Sequence, residues 1–253
     1  MPARMNLIKS SVITVMLLNV VLSSSYALAN NSLVNDTVTT ANTRAAVEGG
    51  HSVSREKGST DHQSKTELMA ILSNINYFSA KFTQKIFDES GEELQQGSGQ
   101  LSVSKPNLVN WETKSPSESL IISDGESLWF YDPFVEQVSV YSLENAIANT
   151  PILLITNNDA KLWQDYKVSK LTDSRYLIEG INENARVKSL ELTFDSSETN
   201  IKLAGFSILD ATGQLSVIYL SEQSLQDSSA NNDTQSELFK FTVPEGVYLD
   251  DQR

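Results

Sequence analysis

The sequence predicts a mainly β (α+β) protein, in which one large, twisted antiparallel sheet is covered by a few helices. Short alternations of apolar and polar residues recur along the chain, and turn-forming pairs such as Asp-Gly and Asp-Pro separate them. Only two regions show helical spacing. A sheet that curls has an inner face to cover, and helices rich in Leu and Ile suit that purpose. The inner face and its helical cover together would enclose an apolar cavity.

The first helix is predicted to begin at Ser64. Residues 64–67, with the sequence Ser-Lys-Thr-Glu, fit a capping box, in which a hydroxyl and a carboxylate satisfy free amide groups at a helix start. An apolar stripe follows at the spacing i, i+3, i+4, i+7 and consists of Leu68, Ile71, Leu72 and Ile75. We therefore expect about four turns of helix, with the apolar face resting on the sheet.

Most of the remaining chain is predicted to form strands. Short strands joined by Gly, Asp and Asn turns indicate an antiparallel meander. The alternating or buried-looking runs are Leu101 and Val103; 120–122; 128–131; Leu190, Leu192 and Phe194; Phe206 and Ile208; Leu215, Val217 and Tyr219; and Phe239, Phe241 and Val243. The polar region 222–237 is predicted to be a loop.

A second helical region lies between residues 142 and 163. Leu143, Ala146 and Ile147 have helical spacing, and the apolar run 152–155 follows Pro151. A residue before proline avoids the helical conformation, so we expect two short helices split at residues 149–151.

The N-terminal residues 1–29 are predicted to be a secretory signal peptide. Arg4 and Lys9 supply the basic region, residues 12–22 the apolar core, and Ala27-Leu28-Ala29 the cleavage signal. The apolar core is too short for a comfortable membrane span, which needs about 20 residues. Residues 30–63 lack aromatics and a sustained period, so we expect a disordered linker that serves as a tether or as a partner-binding arm. One domain would then occupy residues 64–253.

Composition excludes several classes of function. The chain has no Cys, and its two histidines, His51 and His62, fall in the predicted linker, so we expect no triad chemistry and no thiolate or imidazole metal site in the domain. The net charge of 19 − 32 = −13 argues against nucleic acid and against anionic lipid as partners. A carboxylate-pair enzyme would need Asp124 and Asp132, but each precedes Gly or Pro and is explained by a turn. We therefore expect neither catalysis nor a cofactor.

Several ordered motifs resemble one family. Residues 78–84 (Phe-Ser-Ala-Lys-Phe-Thr-Gln) are similar to the F-x-A-x-F-T-Q opening of LolA proteins, and residues 105–111 (Lys-Pro-Asn-Leu-Val-Asn-Trp) to their R-P-x-x-F-x-W segment. Residues 123–133 match the S-D-G-x-x-L-W-x-Y-D/N-P block. The sequences at 134–138, 150–151 and 244–247 continue the series, which spans residues 66–253.

The resemblance implies an incomplete β-barrel closed by a helical lid, with an apolar cavity between them. It implies a soluble periplasmic chaperone that accepts acylated lipoproteins from an inner-membrane ABC transporter and delivers them to an outer-membrane receptor. That receptor is itself a lipoprotein anchored through an acylated Cys, so the absence of Cys favours the carrier. A carrier that docks with two partners in turn is expected to be a monomer. The alternative is a periplasmic lipid-binding or lipoprotein-sensing module of the same fold.

Two positions depart from the family pattern. Lys105 stands where the family has an Arg that is thought to hold the lid closed. Lysine keeps the charge but presents its donors from a point, not a planar fork, so Lys105 is a lid-latch candidate or a surface lysine at a strand end. Val109 stands where the family usually has Phe, which reduces aromatic surface at the expected cavity mouth.

An acyl cavity should be lined by apolar side chains without polar specificity. The candidates from the sheet are Phe82, Leu101, Val103, Val109, Trp111, Ile121, Leu128, Phe130 and Val138, and those from the lid are Ile152, Leu153 and Leu154. Plain core packing is the alternative for each. Periodicity does not choose a face for residues 128–131, because both faces of that run are apolar.

Overall fold

A computed structural model describes residues 57–147, 150, 152–157, 159–182, 186–195, 201–225 and 236–253. The predicted signal peptide and residues 30–56 of the predicted linker lie outside the described residues. A single sheet of twelve strands dominates the described part, and a long helix and several short helical segments accompany it.

The elements follow one another as α1 (Lys57–Ser73), β1 (Tyr77–Phe87), β2 (Glu93–Ser104), β3 (Leu108–Ser115), β4 (Ser119–Asp124), β5 (Ser127–Asp132), β6 (Gln137–Ser142), α2 (Leu143–Ile147), α3 (Leu153–Thr156), a 3-10 helix (Leu162–Asp165), β7 (Tyr166–Thr172), β8 (Arg175–Gly180), β9 (Val187–Asp195), β10 (Lys202–Asp210), β11 (Leu215–Ser224) and β12 (Tyr248–Asp251). The strand order is β12-β6-β5-β4-β3-β2-β1-β11-β10-β9-β8-β7. All pairs are antiparallel except β12 with β6. Because β12 and β7 are the two ends of this order, the barrel is incomplete, as expected.

The sheet is strongly curved. Trp111 on β3 and Phe206 on β10 are separated by three intervening strands, yet their ring centroids are 5.9 Å apart. Four steps across a flat sheet would place these strands about 19 Å apart, at about 4.8 Å per step. Side chains from distant strands therefore meet over the inner face, and most of the buried apolar residues form one cluster there.

The helix α1 begins at Lys57, so the prediction of a capping box at Ser64 was wrong. Tertiary contacts fix the preceding turns: the carboxylate of Asp61 accepts a hydrogen bond from Val168 N at 2.7 Å, and Lys65 Nζ donates to the Trp163 carbonyl at 2.9 Å. Residues 57–63 are therefore helical and not part of a disordered linker. His62 lies in this helix and is exposed.

The helix prediction in the middle of the chain is confirmed. α2 and α3 are separate short helices between β6 and β7, and we refer to these two helices as the lid. The split was predicted at residues 149–151. Of these only Thr150 is among the described residues, and it is buried.

Near the C-terminus the strand prediction was wrong. Residues 239–243 form no strand, and the last strand is Tyr248–Asp251. The Phe241 ring packs against Trp129 at 5.5 Å and against Tyr131 at 6.0 Å between centroids, so its apolar side chain covers the outer face of β5 without backbone pairing. The predicted loop at 222–237 also begins too early, since β11 extends to Ser224.

Candidate functional site

The inner face of the sheet is the candidate site. Cross-strand register places Leu101, Trp111, Ile121 and Phe130 in one row, because each pairs directly with the next across β2, β3, β4 and β5. Cross-strand partners share a face, and successive residues alternate between faces. Every second side chain of each of these strands therefore points to the interior, and these side chains are buried or half-buried.

All but one of the predicted lining residues belong to this interior. Those in the apolar cluster are Phe82, Leu101, Val103, Val109, Trp111, Ile121, Leu128, Ile152, Leu153 and Leu154, and Phe130 packs against it. Register resolves the ambiguity of residues 128–131, because Leu128 and Phe130 face inward. That these residues contact a ligand stays a prediction.

Val138 is the exception, and its assignment to the cavity was wrong. It pairs with Tyr131, which faces outward, and it is buried outside the inner cluster. The outer face is covered next to Val138, because Phe241 of the C-terminal segment packs against Tyr131, the cross-strand partner of Val138.

The second half of the sheet supplies an opposite wall that the sequence reasoning did not assign to the site. Its inward-facing apolar residues are Leu190, Leu192, Phe194, Phe206, Ile208 and Ile218. The alternation in 190–194 and 206–208 had already identified strands with one apolar face. The missing information was the curvature that turns this face towards β3.

An aromatic group stands at the centre of the inner face. The ring of Phe82 lies 4.7 Å from the ring of Trp111, which in turn lies 5.9 Å from Phe206. Gly99, opposite Phe82 on β2, makes room for this group, because a Cβ there would lie 2.8 Å from the Phe82 ring and 1.9 Å from the Glu112 carbonyl oxygen. The glycine thus allows an aromatic side chain to lie directly over the sheet backbone.

The lid closes this face. Ile152, Leu153, Leu154 and Ile155 are each at most 2% exposed and belong to the same cluster as the sheet residues. The lid therefore buries its own apolar side chains on the surface that a ligand would use. Opening it would expose both surfaces to water, which costs about 25 cal/mol per Å² of apolar area.

Asn107, in the turn between β2 and β3, ties the lid to the sheet. Its backbone N–H donates to the Thr156 carbonyl at 3.2 Å, and its side-chain oxygen accepts from Asn157 Nδ2 at 2.8 Å. Asn107 has φ 60°, a left-handed conformation that Asn tolerates better than most residues. In this segment only Lys105, Val109 and Trp111 were singled out from the sequence, so Asn107 was missed as part of the closed site.

Lys105 makes a different contact. Its Nζ donates to the Leu72 carbonyl at the C-terminal end of α1, and its backbone N–H donates to the Asn76 carbonyl at 2.8 Å. A cation is favoured near the carbonyl end of a helix. Burial lowers the pKa of Lys105 to about 8, since desolvation disfavours the ammonium form. The residue is thus half-buried against α1, and its role as a latch stays a prediction.

The other end of α1 is fixed to the far half of the sheet. Lys170 Nζ on β7 lies 2.7 Å from Glu67 Oε1, and this hydrogen-bonded pair lowers the pKa of Glu67 and raises the pKa of Lys170. Together with the contacts of Asp61 and Lys65, this pair anchors α1 at the β7 side. The helix therefore spans the inner face from β7 to the turn before β3.

The two carboxylates that a carboxylate-pair enzyme would need have structural contacts. Asp124 accepts from Glu126 N and Ser127 N at 2.9 and 2.8 Å, and Asp132 accepts from Phe134 N at 2.9 Å, so both carboxylates build turns as expected. Within the described ranges, no group of three or more His, Cys, Asp or Glu residues could hold a metal ion. The inner face can shelter an apolar group, and the burial of this face explains why most of its side chains are apolar.

No helix among the described residues has the length and apolar character needed to cross a membrane.

Comparison with known proteins gives consistent matches over the domain. The family model described as "Outer membrane lipoprotein carrier protein LolA" matches residues 73–242. The outer-membrane lipoprotein carrier protein of Aeromonas salmonicida (strain A449) is 41% identical over 188 residues, which cover 74% of this chain and 89% of that protein. The protein of the same description from Photorhabdus laumondii is 42% identical over 187 residues, covering 74% of this chain and 87% of that protein.

Among solved structures, the fold is similar to that of the LolA superfamily protein NE2245 from Nitrosomonas europaea. The TM-score is 0.43 at 15% sequence identity, over 70% of this chain and 98% of that chain.

Proposed function

The chain belongs to the LolA family of outer-membrane lipoprotein carrier proteins, and from this membership we propose that it carries lipoproteins with their acyl chains held on the inner face of its sheet. The observation that supports this site is the large apolar cluster on the inner surface beneath a lid of two short helices. No catalytic step is part of the proposal, because carriage requires only binding and release.

The physical chemistry suits a carrier. An acyl chain costs about 0.8 kcal/mol per CH₂ to leave in water, so a chain of about 16 carbons costs on the order of 12 kcal/mol. The inner face can shield such a chain only when the lid residues, among them Leu153 and Leu154, move off it. The cost of opening lowers the apparent affinity for the cargo, which allows release without ATP to an acceptor that binds the cargo more tightly.

The place and the partners belong to the same proposal. The predicted signal peptide directs the chain to the periplasm, where it takes acylated lipoproteins from an inner-membrane ABC transporter and delivers them to an outer-membrane receptor. Mass spectrometry of the tagged chain purified from a periplasmic extract tests the cargo. We expect about one triacylated lipoprotein per chain, whereas free lipid alone would favour the lipid-binding or lipoprotein-sensing alternative.

A cross-linking experiment tests the site. The chain has no Cys, so Asn107→Cys with Asn157→Cys provides two unique thiols across the lid contact of 2.8 Å. A short, reducible bis-thiosulfonate linker between them should hold the lid closed and abolish uptake of a fluorescent fatty acid, and reduction should restore it. The matched control is Lys85→Cys with Glu93→Cys, an adjacent pair (Nζ to Oε2, 2.8 Å) on the exposed β1–β2 hairpin, whose linkage should leave uptake unchanged. Equal uptake by the linked and reduced forms of the lid pair would overturn the site.

A further inference from the structure

A buried polar side chain interrupts the apolar inner face on its central strand. Alternate residues of β1 share this face, and they are Phe78, Ala80, Phe82 and Gln84. The first three belong to the apolar cluster, whereas Gln84 is polar and only 4% exposed. Gln84 is also the last residue of the motif at 78–84, and apolar shelter gives it no role. A polar group buried in such surroundings needs a partner, because its transfer out of water is otherwise costly.

The partner of Gln84 is Ser216 on β11. Gln84 Nε2 donates a hydrogen bond to Ser216 Oγ at 3.2 Å, and Ser216 is fully buried. In the strand register Gln84 pairs with Ile218 and Ser216 pairs with Ile86, so the bond runs diagonally between the two strands. The pair therefore places a fixed polar contact near the centre of the sheet, where its two walls meet.

Two further strands become polar on the same side of the aromatic group. Thr113 follows Trp111 by two residues on β3, and it pairs with Ser119 on β4. Both face inward, and they are 3% and 5% exposed. Gly99 pairs with Thr113, so this row carries no large apolar side chain on β2, β3 or β4. We call these four inward-facing polar residues the polar boundary: Gln84, Thr113, Ser119 and Ser216.

The polar boundary lies at a defined distance from the lid. The lid contacts the turn at Asn107, which is next to the start of β1. Phe78 lies at this end of β1, and Gln84 lies six residues further on, about 20 Å away at about 3.4 Å per residue. An extended acyl chain advances about 1.25 Å per carbon, the projection of a carbon–carbon bond of about 1.5 Å. About 16 carbons therefore cover the apolar stretch from Phe78 to Gln84.

We infer that the polar boundary limits the length of the acyl chain that the carrier holds, and that the Gln84–Ser216 pair sets this limit at about 16 carbons. The inference rests on the proposed function. A carbon placed on apolar surface gains the free energy of burying a CH₂ group, whereas a carbon placed over a hydrogen-bonded amide and hydroxyl covers polar groups and gains little. Affinity should therefore rise with chain length as far as the boundary and then level off.

The residues beyond the boundary explain what its removal would do. Ile86 and Ile208 are the cross-strand partners of Ser216, and both belong to the apolar cluster. The hydrogen bond thus separates these residues from the apolar stretch nearer the lid. Replacing the bonded pair by apolar side chains would join the two regions and lengthen the surface available to a chain.

The test is a chain-length profile of the full mature chain. Peptides that are N-acylated with saturated chains of about 10 to about 20 carbons displace a fluorescent fatty acid, below their critical micelle concentrations. Wild-type affinity should rise about four-fold per added carbon up to about 16 carbons, and by less than about 1.5-fold per carbon thereafter. With Gln84→Met and Ser216→Ala together, the rise should continue, so that a peptide of about 18 carbons binds about five- to ten-fold more tightly than it binds the wild type.

The matched control makes the same substitution on the outer face. Gln100 is exposed on β2 and pairs with Lys81, so Gln100→Met should leave the profile as in the wild type. Thr113→Val with Ser119→Ala removes the other half of the boundary by changes of similar shape, and it should also extend the rise. Denaturant unfolding shows which variants are folded, and this second pair keeps the test available if the first does not fold.

The outcomes separate the length limit from carriage itself. If the wild type binds no acylated peptide of any length, the proposed function fails, and the length limit fails with it. If the wild type binds these peptides but its affinity still rises steeply beyond about 18 carbons, the length limit is overturned while carriage stands. A plateau at the same length in the folded boundary variants, or an equal shift in Gln100→Met, also overturns it.

Discussion

Replacing Asn107 by Gly should make the carrier bind acyl chains more tightly. Asn107 has φ 60°, which Gly adopts without strain, so the substitution removes little except the side-chain oxygen that accepts from Asn157 Nδ2. That bond joins the turn after β2 to the residue directly after α3, and it can exist only while the lid is closed. The open form, which has already lost the bond, is not affected by its removal.

The magnitude follows from the value of one hydrogen bond. A neutral intramolecular hydrogen bond contributes about 1 kcal/mol net, and 1.4 kcal/mol is a factor of ten in an equilibrium constant. The ratio of open to closed forms should therefore rise about five-fold. While the open form remains a minority, the apparent affinity for an acyl ligand rises by the same factor.

The assay is a titration with a fluorescent fatty acid, combined with denaturant unfolding. Asn157→Ala should share this gain, although it also removes the hydrogen bond that Asn157 Oδ1 accepts from Asp159 N at 2.6 Å, and the double variant should gain no more than Asn157→Ala, because both lack the same bond to Asn107. Asn107→Ala should gain as much affinity but lose about 1 kcal/mol more folding stability, since Ala is strained at positive φ in both open and closed forms. Unchanged affinity in Asn107→Gly, or a gain that Asn157→Ala does not share, would refute the assignment of this bond to the closed lid.

Three other predictions concern the sheet and its edges. Gly99→Ala should lower the free energy of unfolding by about 3 kcal/mol in denaturant titrations, because its Cβ would meet the Phe82 ring at 2.8 Å, and a loss below about 1 kcal/mol would contradict this packing. Burial lowers the pKa of Lys105 from 10.5 to about 8. Between pH 8 and pH 10.5 the unfolded chain therefore keeps a proton that the folded chain has released, so the free energy of unfolding should rise with pH across that window. In Lys105→Arg, measured by the same titrations from pH 8 to 10.5, this rise should be absent, and a wild-type slope would show that another group causes it. Phe241→Ala should cost about 1–2 kcal/mol by removing a half-buried contact with Trp129 but should leave fatty-acid uptake unchanged, and reduced uptake would mean that the outer face takes part in binding.

The sequence located the inner-face residues of β2 correctly, because one face of that strand is polar and the other is apolar. Leu101 and Val103 alternate with serines and a glutamine, so only one face of β2 could be buried, and both residues lie in the inner cluster. Val138 and Val140 also alternate with polar residues, but such a period shows only that one face of the strand is buried, and it does not show whether that face is the inner or the outer one. The outer face of β5 is covered by Phe241, which lies more than 100 residues later in the chain, and no local pattern could have indicated this contact.

Contacts between distant residues account for the other errors. Residues 57–63 have no apolar period, yet they are helical because Asp61 is held by the backbone of β7, 107 residues away. Phe241 belongs to an apolar–polar alternation that is typical of a strand, but the neighbouring aromatic rings bind its side chain while its backbone stays outside the sheet. Local pattern describes what a segment favours alone, and tertiary contacts override it.

The sequence by itself determined the fold class, the lid helices, the family and most of the apolar residues of the inner face, because alternation, turn residues and ordered motifs are local properties of the chain. Only the tertiary structure decided which walls face one another, that Asn107 ties the lid to the sheet, and that Lys105 reaches the end of α1. These features depend on the curvature of a twelve-stranded sheet, which brings Trp111 and Phe206 together across strands that a flat sheet would keep apart. Curvature is a property of all the strands together, so no single segment of the sequence encodes it.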